Sequence, residues 1–290
     1  MNSSILLFGS TGQLGQEIEQ KLELMGKNFL ALNRDRCNFT QPDCIQDAVM
    51  TYKPHIIINC AAYTAVDKAE SEKNIANTVN GKALKILAKE AEKINAFIVH
   101  ISTDYVFDGS KNIPYLESDR VNPINSYGRS KLMGEQELKE YCNRFLILRT
   151  SWVYGIYGKG NFVKTMLRLG TERKEIRVVA DQIGSPTWTG DLGNIITQMP
   201  PSLTGTYHYS NSGVASWYDL AVAIFEEAKS LNFPLKIEKV IPITTAEYPT
   251  AAKRPAYSVL SCRKISSTLN IIPPHWRESL RKMLQQLREN

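Results

Sequence analysis

The chain has 290 residues, 43% of them apolar and 22% charged, with a formal net charge of +6. That length holds one large domain or two modest ones around a real core, and the composition is that of an ordinary globular protein. No apolar run approaches a membrane span, no dense basic–aromatic patch suits nucleic acid, and the start carries no leader-like pattern, so a cytoplasmic location is expected. The five cysteines (Cys37, Cys44, Cys60, Cys142, Cys262) are odd in number and scattered, with no Cys-x-x-Cys. They predict reduced thiols and no zinc site.

In chain order, residues 4–8 form a short apolar run that Gly9 ends, and a helical pattern follows through Ile18, Leu22 and Met25. Strands are expected at 29–32, 56–59, 97–101 and 145–148, and helices at 43–52, 76–94 and 127–141. Continuous apolar strands alternating with amphipathic helices predict a parallel sheet covered on both faces. After about residue 149 the rhythm changes, and aromatics, glycines and prolines increase. Helices remain legible at 162–169, 217–231 and 275–287, with short strands near 176–179 and 239–243. The expected division is a nucleotide-binding domain over 1–150 and a smaller region over 151–290 that lies at the carboxyl edge of the sheet, some of its segments returning to the first domain.

Gly9-Ser10-Thr11-Gly12-Gln13-Leu14-Gly15 joins the first strand to the first helix. A glycine turn at a helix N-terminus suits a pyrophosphate, because free N–H groups and the dipole face it and the backbone comes close. The spacing is Gly-x-x-Gly-x-x-Gly, and glycines also serve plain tight turns; the position between strand and helix favours the dinucleotide. The second strand ends in Asn33-Arg34-Asp35. An acidic residue there would hold the ribose 2′-hydroxyl, whereas Arg34 after Asn33 suits a 2′-phosphate and predicts NADPH. Asp35 could hold a ribose if the loop turns differently, which leaves NADH possible.

Asn125-Ser126-Tyr127-Gly128-Arg129-Ser130-Lys131 opens the fifth helix, with Ser126 as a plausible N-cap. Residues four apart share a helix face, so Tyr127 and Lys131 can reach one cleft, where a nearby ammonium favours the phenolate. Chance supplies about one Tyr-x-x-x-Lys in such a chain, so placement decides its meaning. It follows His100-Ile101-Ser102-Thr103-Asp104 at the carboxyl end of the fourth strand, where open α/β sheets bind ligands. Thr103 could hydrogen-bond the oxygen that Tyr127 protonates, or it could simply turn the chain.

These blocks, together with Asn59-Cys-Ala-Ala-Tyr-Thr-Ala-Val-Asp-Lys-Ala-Glu70, Ser102-Thr-Asp-Tyr-Val-Phe107, Arg149-Thr-Ser-Trp-Val-Tyr-Gly155, Asn161-Phe-Val-Lys-Thr-Met-Leu167, Asp181-Gln-Ile-Gly-Ser-Pro-Thr187 and Arg254-Pro255, resemble the dTDP-4-dehydrorhamnose reductases. These are extended short-chain dehydrogenase/reductases, and the resemblance runs nearly end to end. It implies a Rossmann-type doubly wound sheet with an interleaved C-terminal region that seats a nucleotide sugar. It also implies that Tyr127 protonates the C4 oxygen, that Lys131 holds the nicotinamide ribose and lowers the phenol's pKa, and that Thr103 assists. Gly9, Thr11, Gly12, Gln13, Leu14 and Gly15 would face the pyrophosphate. Asn33 and Arg34 would lie at the ribose, Asn38 and Phe39 near the adenine, and Ala61, Ala62 and Thr64 along the cofactor. Thr103, Asp104 and Trp152 would touch the sugar, and Arg254 the diphosphate. Many relatives carry Asp where this chain has Asn33 and Asn38, which agrees with NADPH. Some relatives dimerise through glutamates on magnesium; here Glu17 is present, but Gly190, beside Asp191, and Gln286 stand at the other two positions, which argues for no metal and for a monomer or weak homodimer. Two other readings are a reductase of another 4-keto-6-deoxy nucleotide sugar and a non-catalytic regulatory subunit of a methionine adenosyltransferase.

Overall fold

Six parallel strands form the centre of the structure, a computed structural model that describes residues 4–41 and 43–289. Residues 1–3, part of the stretch on which the absence of a leader was read, lie outside the described residues. The strands are β1 (Ile5–Phe8), β2 (Phe29–Leu32), β3 (Ile56–Asn59), β4 (Phe97–Thr103), β5 (Phe145–Thr150), β6 (Val153–Tyr154), β7 (Glu175–Val179), β8 (Ile183–Gly184), β9 (Thr187–Trp188), β10 (Gly205–His208), β11 (Ala215–Ser216) and β12 (Lys239–Ile243). The helices are α1 (Gln13–Leu24), α2 (Asp43–Tyr52), α3 (Lys73–Asn77), α4 (Ala83–Lys93), α5 (Ser126–Tyr141), α6 (Phe162–Glu172), α7 (Thr189–Gln198), α8 (Trp217–Ser230), α9 (Arg263–Leu269) and α10 (Trp276–Glu289). The main sheet runs β10-β5-β4-β3-β1-β2, and the chain reverses its direction of travel between β1 and β3. A crevice opens at the carboxyl ends of the strands at such a reversal.

Successive strand residues point to opposite faces, and both faces here are dry. Leu6, Phe8, Ile57, Ile98 and Ile147 pack toward α2, α4 and α5 through residues such as Val49, Leu84 and Leu138. Leu7, Ile58, Val99, Leu146 and Leu148 pack toward α1, α7 and α9 through Ile18, Leu192 and Ile265. A second core joins α6, α8 and α10 around Val163, Ile224 and Leu280. No helix among the described residues is long and apolar enough to cross a membrane.

Four details depart from the sequence reading. The helix expected over 76–94 is α3 and α4 joined by a π-helical turn, Thr78–Lys82. The C-terminal half returns to the sheet more deeply than its pattern suggests: β10 is the sixth strand, beside β5, and α7 and α9 cover one face. The cap of α5 is Asn125, whose Oδ1 accepts from the Gly128 N–H at 2.7 Å; Ser126 is the first helical residue instead. Cys37 and Cys44, expected as free thiols, are joined in a disulfide across the loop after β2, with Cα atoms 5.3 Å apart.

Candidate active site

The phosphate loop is built for close approach. Gly9 has φ +79°, and a Cβ added there would lie 2.6 Å from the Ala61 nitrogen; one on Gly15 would lie 2.1 Å from the Gly9 carbonyl oxygen. Only glycine fits both positions. No side chain caps α1, so the first-turn N–H groups, from Gln13, Leu14 and Gly15, are free to face an anion. Thr11 and Gly12 are exposed at the loop's rim. This donor set fits a dinucleotide pyrophosphate. The Gln13 side chain turns away from it, donating to the Val153 carbonyl at 3.0 Å and accepting from Asn161 at 3.2 Å. It thereby ties the loop to the C-terminal half.

Past β2, Asn33 Oδ1 accepts the N–H groups of Asp35 and Arg36 at 3.1 and 3.0 Å, a turn that leaves Arg34 exposed and without a hydrogen bond or ion pair among the described residues. Asn38 is half-buried, its Oδ1 accepting the Thr40 N–H. Phe39, expected beside the adenine, is buried in the core with its ring against Phe8, 5.2 Å between centroids. Ala61 and Ala62 are half-buried after β3, and Thr64 is exposed.

The placement of α5 rests on polar ties that the sequence reading missed. Asn80, fully buried in the π-helical turn, accepts the Tyr63 N–H at 2.8 Å and donates to the Tyr63 carbonyl at 3.0 Å and the Ser130 hydroxyl at 2.9 Å. Glu70 accepts the Ser126 N–H at 2.7 Å and its hydroxyl at 2.8 Å. Gly128 lets the helix lie against the turn after β4, because a Cβ there would sit 2.1 Å from the Tyr105 carbonyl oxygen. Helix start and cofactor-side loop are therefore one rigid unit.

Tyr127, Thr103, Asp104 and Lys131 come together where β4 ends. Thr103 turns the chain, accepting the Tyr105 N–H, and its hydroxyl donates to Asp104 Oδ1 at 3.0 Å. Burial pushes the Tyr127 phenol up to about 12; a hydrogen bond with Thr103 draws it back, and the Asp104 carboxyl adds to the rise. The downward shift expected from Lys131 is not found; desolvation sets the direction, and the group that draws the phenol down is Thr103. Burial also raises Asp104 to about 7, and its Oδ2 has no partner at hydrogen-bonding distance among the described residues, although the Ser258 hydroxyl stands near enough to soften the rise. Lys131, only 2% exposed, donates to the Ile101 carbonyl at 2.7 Å, and burial lowers it to about 8.

Trp152 has φ +48°, a strained left-handed backbone, and its ring stacks on Trp217 with centroids 3.5 Å apart. The indole also lies against Gly184, where an added Cβ would sit 2.5 Å from it. Arg254 grips Asp67 in two parallel bonds, Nη1–Oδ1 at 3.1 Å and Nη2–Oδ2 at 2.7 Å, which joins the C-terminal segment to the loop after β3. Glu17 is turned inward, paired with Lys21 at 3.1 Å and accepting from Thr189 at 3.2 Å. Among the described residues no three His, Cys, Asp or Glu side chains could hold a metal ion.

A buried ion pair underlies this floor. Arg149 at the end of β5 binds Glu135 of α5 through Nε–Oε1 at 2.8 Å and Nη2–Oε2 at 2.6 Å, and Ser102 donates to Glu135 at 2.6 Å. Both charged groups are at most 2% exposed. The sequence signal was there: a charged residue ending an aliphatic strand, which must find a counter-charge when buried.

Compared with known proteins, residues 2–289 match the family described as the RmlD substrate binding domain. The dTDP-4-dehydrorhamnose reductase of Escherichia coli K12 is 42% identical, the match covering 98% of each chain. The spore coat polysaccharide biosynthesis protein SpsK of Bacillus subtilis is 42% identical, again over 98% of each. The crystal structure of dTDP-4-dehydrorhamnose reductase from Bacillus anthracis in complex with NADP superimposes with a TM-score of 0.93 at 41% identity, covering 99% of this chain and 100% of that one.

Burial alone would raise the Glu135 carboxyl, but the bonds from Arg149 and Ser102 hold it below its usual range. Its stabilisation is therefore complete above the unfolded carboxylate pKa, about 4.3, and is lost as pH falls through the lower folded value. Glu135→Gln leaves Arg149 buried without a counter-charge, and the expected loss is about 3–5 kcal/mol. Denaturant unfolding of both forms between neutral and acid pH checks this: the difference should be largest near neutrality and shrink in acid.

Proposed function

This chain belongs to the RmlD substrate-binding family, and from that premise we propose that it is an NADPH-dependent reductase converting the C4 ketone of dTDP-4-dehydro-L-rhamnose into the alcohol of dTDP-L-rhamnose. The observation that carries the reading is the end-to-end match to reductases of that name, one of them bound to NADP; in support, Tyr127 meets Thr103 where β4 ends, and α1 starts on a glycine turn without a side-chain cap. The cofactor, when bound, supplies the hydride.

The residues divide the remaining work. Gln13, Leu14 and Gly15 offer backbone N–H groups to the pyrophosphate, and Arg34 offers a free guanidinium to a 2′-phosphate. Ala61, Ala62 and Thr64 line the groove beyond. Tyr127, kept protonated at neutral pH by burial, gives its proton to the C4 oxygen as negative charge develops there. Thr103 orients that oxygen by hydrogen bonding. Among the described residues, the buried Oδ2 of Asp104 has no partner at hydrogen-bonding distance, with the Ser258 hydroxyl nearby, which suits a sugar hydroxyl. Lys131 stands on the Tyr127 face, one turn on, in reach of a ribose hydroxyl and able to restore the phenol's proton. Trp152, on its strained backbone, forms an apolar wall for the sugar. Arg254, anchored by Asp67, brings positive charge toward the diphosphate. With Glu17 engaged within its own chain, no metal is assigned, and the chain is read as a monomer or weak homodimer acting away from membranes and nucleic acid.

Two substitutions test these assignments. Tyr127→Phe should bind NADPH and melt normally while kcat falls about 10²–10⁴-fold, the usual worth of general acid catalysis; near-normal turnover would remove Tyr127 from the chemistry. Arg34→Ala should raise KM for NADPH about ten- to hundredfold, the worth of one charge-assisted hydrogen bond, and leave KM for NADH unchanged. Equal effects on the two cofactors would assign the 2′-phosphate to another residue.

A further inference from the structure

Behind the Tyr127–Lys131 face lies a chain of buried polar side chains that neither proton donation nor sugar binding calls on. Asn59 ends β3 directly beside His100 of β4, and its amide nitrogen lies 3.1 Å from His100 Nδ1. Nε2 of the same ring lies 3.3 Å from Lys131 Nζ. Exposures of 0, 0 and 2% for Asn59, His100 and Lys131 leave the three side chains to satisfy one another.

The sense of each bond follows from what surrounds it. The Ala61 N–H donates to Asn59 Oδ1 at 3.1 Å, which turns the amide NH₂ toward His100 and makes Nδ1 an acceptor. Burial first, and the Lys131 charge second, hold the imidazole neutral by taking its pKa well below the usual value. Its single proton therefore sits on Nε2, facing Lys131. An ammonium has three donors and no acceptor, so in that form two donors oppose each other in a dry site. An amine has a lone pair, accepts the Nε2–H and still donates to the Ile101 carbonyl.

We propose that Asn59 and His100 form a tautomer lock, two positioning residues that present an Nε2–H to Lys131 and favour its amine over its ammonium. The proposal rests on the reading of Tyr127 and Lys131 as the working pair. Three titratable groups besides His100 lie near Lys131: Tyr127 on its own helix face, Cys60 and Glu135. Cys60, after β3, is a thiol that burial keeps neutral. Glu135, on the same helix, favours the ammonium, its charge offset in part by Arg149 of β5 at 2.6 Å and by Lys139 at 3.8 Å. Burial is what lowers Lys131; the Nε2–H of His100, 3.3 Å from Nζ, adds a dipole that opposes the ammonium, against the Ile101 carbonyl that accepts from it.

The consequence is a proton donor with a place for its product. When the Tyr127 O–H bond breaks and the proton joins the C4 oxygen, a phenolate remains. Lys131 ammonium then releases one proton, the phenol O–H re-forms, and the resulting amine accepts the waiting Nε2–H of His100.

Long-range ¹H–¹⁵N spectra of the free, histidine-labelled protein read the lock without reference to activity, with the His100 signals assigned by their loss in His100→Gln. The ring should be the neutral Nε2–H tautomer from about pH 6 to 9, the range where an ordinary histidine has begun or completed its titration. An Nδ1–H ring or an imidazolium there would overturn the lock even in a fully active reductase. In Asn59→Asp an acceptor replaces the donor, the ring should turn to Nδ1–H, and Nε2 should then accept from the ammonium. The basic limb of kcat/KM for ketone reduction should move up by at least about one pH unit, as expected when a facing dipole changes sign, with a lower plateau. A uniformly slower variant with an unmoved limb would mark Asn59 as merely structural and also overturn the proposal. Failure of the unsubstituted chain to reduce the ketone at all would strike the proposed function and leave the spectroscopic result standing.

Discussion

Burying Lys131 is the constraint to which the rest of the active-site floor answers. An ammonium taken out of water costs several kcal/mol unless polar groups meet it. At 2% exposure Lys131 in its charged form is met by the Ile101 carbonyl, while His100, held by Asn59, faces it from β4. The helix that carries Lys131 is fixed by Glu70, Asn80 and the Glu135–Arg149 pair, each tying α5 to a different part of the sheet or its loops. Tyr127 shares the face and the dryness. That is why its phenol is raised and not lowered: burial disfavours the charged phenolate, while the Lys131 ammonium is turned toward the Ile101 carbonyl of the strand behind. A phenol that stays protonated at neutral pH is the form a proton donor needs.

The features legible in the sequence were those for which few residue types will do. Gly9 and Gly15 permit a positive φ and a backbone contact that other residues would block, so the tight turn between β1 and α1 showed in the spacing. The inner strands were legible because both faces are dry, which leaves aliphatic runs with no polar alternation. Tyr127 and Lys131 gained meaning only from their place after β4. By contrast, β10 reads Gly-Thr-Tyr-His, an edge strand supported by β5 alone, and no local pattern marks it. The N-cap was misassigned by one residue because Asn125 and Ser126 are both good caps; the choice between them depends on Glu70, distant in sequence, which takes the Ser126 hydroxyl.

Other misses were matters of tertiary context. The ring of Phe39 fills the space beside Phe8, a packing that the stretch does not announce. Cys37 and Cys44 bracket that loop and are joined, although seven residues of spacing with no paired motif suggested free thiols. The polar residues that anchor the site were in plain view as exceptions: Asn59 closes Ile-Ile-Ile-Asn, His100 interrupts Phe-Ile-Val-His-Ile, and Arg149 follows Phe-Leu-Ile-Leu. A polar side chain in a strand covered on both faces must be partnered, and three such exceptions on adjacent strands predict a network. Which partners they choose depends on register, and register is not written in any single strand.

The central claim is that this floor delivers a proton to a sugar ketone as a hydride arrives. Its most direct test is the oxidation of NADPH by the purified chain with dTDP-4-dehydro-L-rhamnose, followed by NMR identification of the product sugar. The account predicts one NADPH consumed per ketone reduced and dTDP-L-rhamnose as the product. Absence of NADPH oxidation, or a product epimeric at C4, would contradict it.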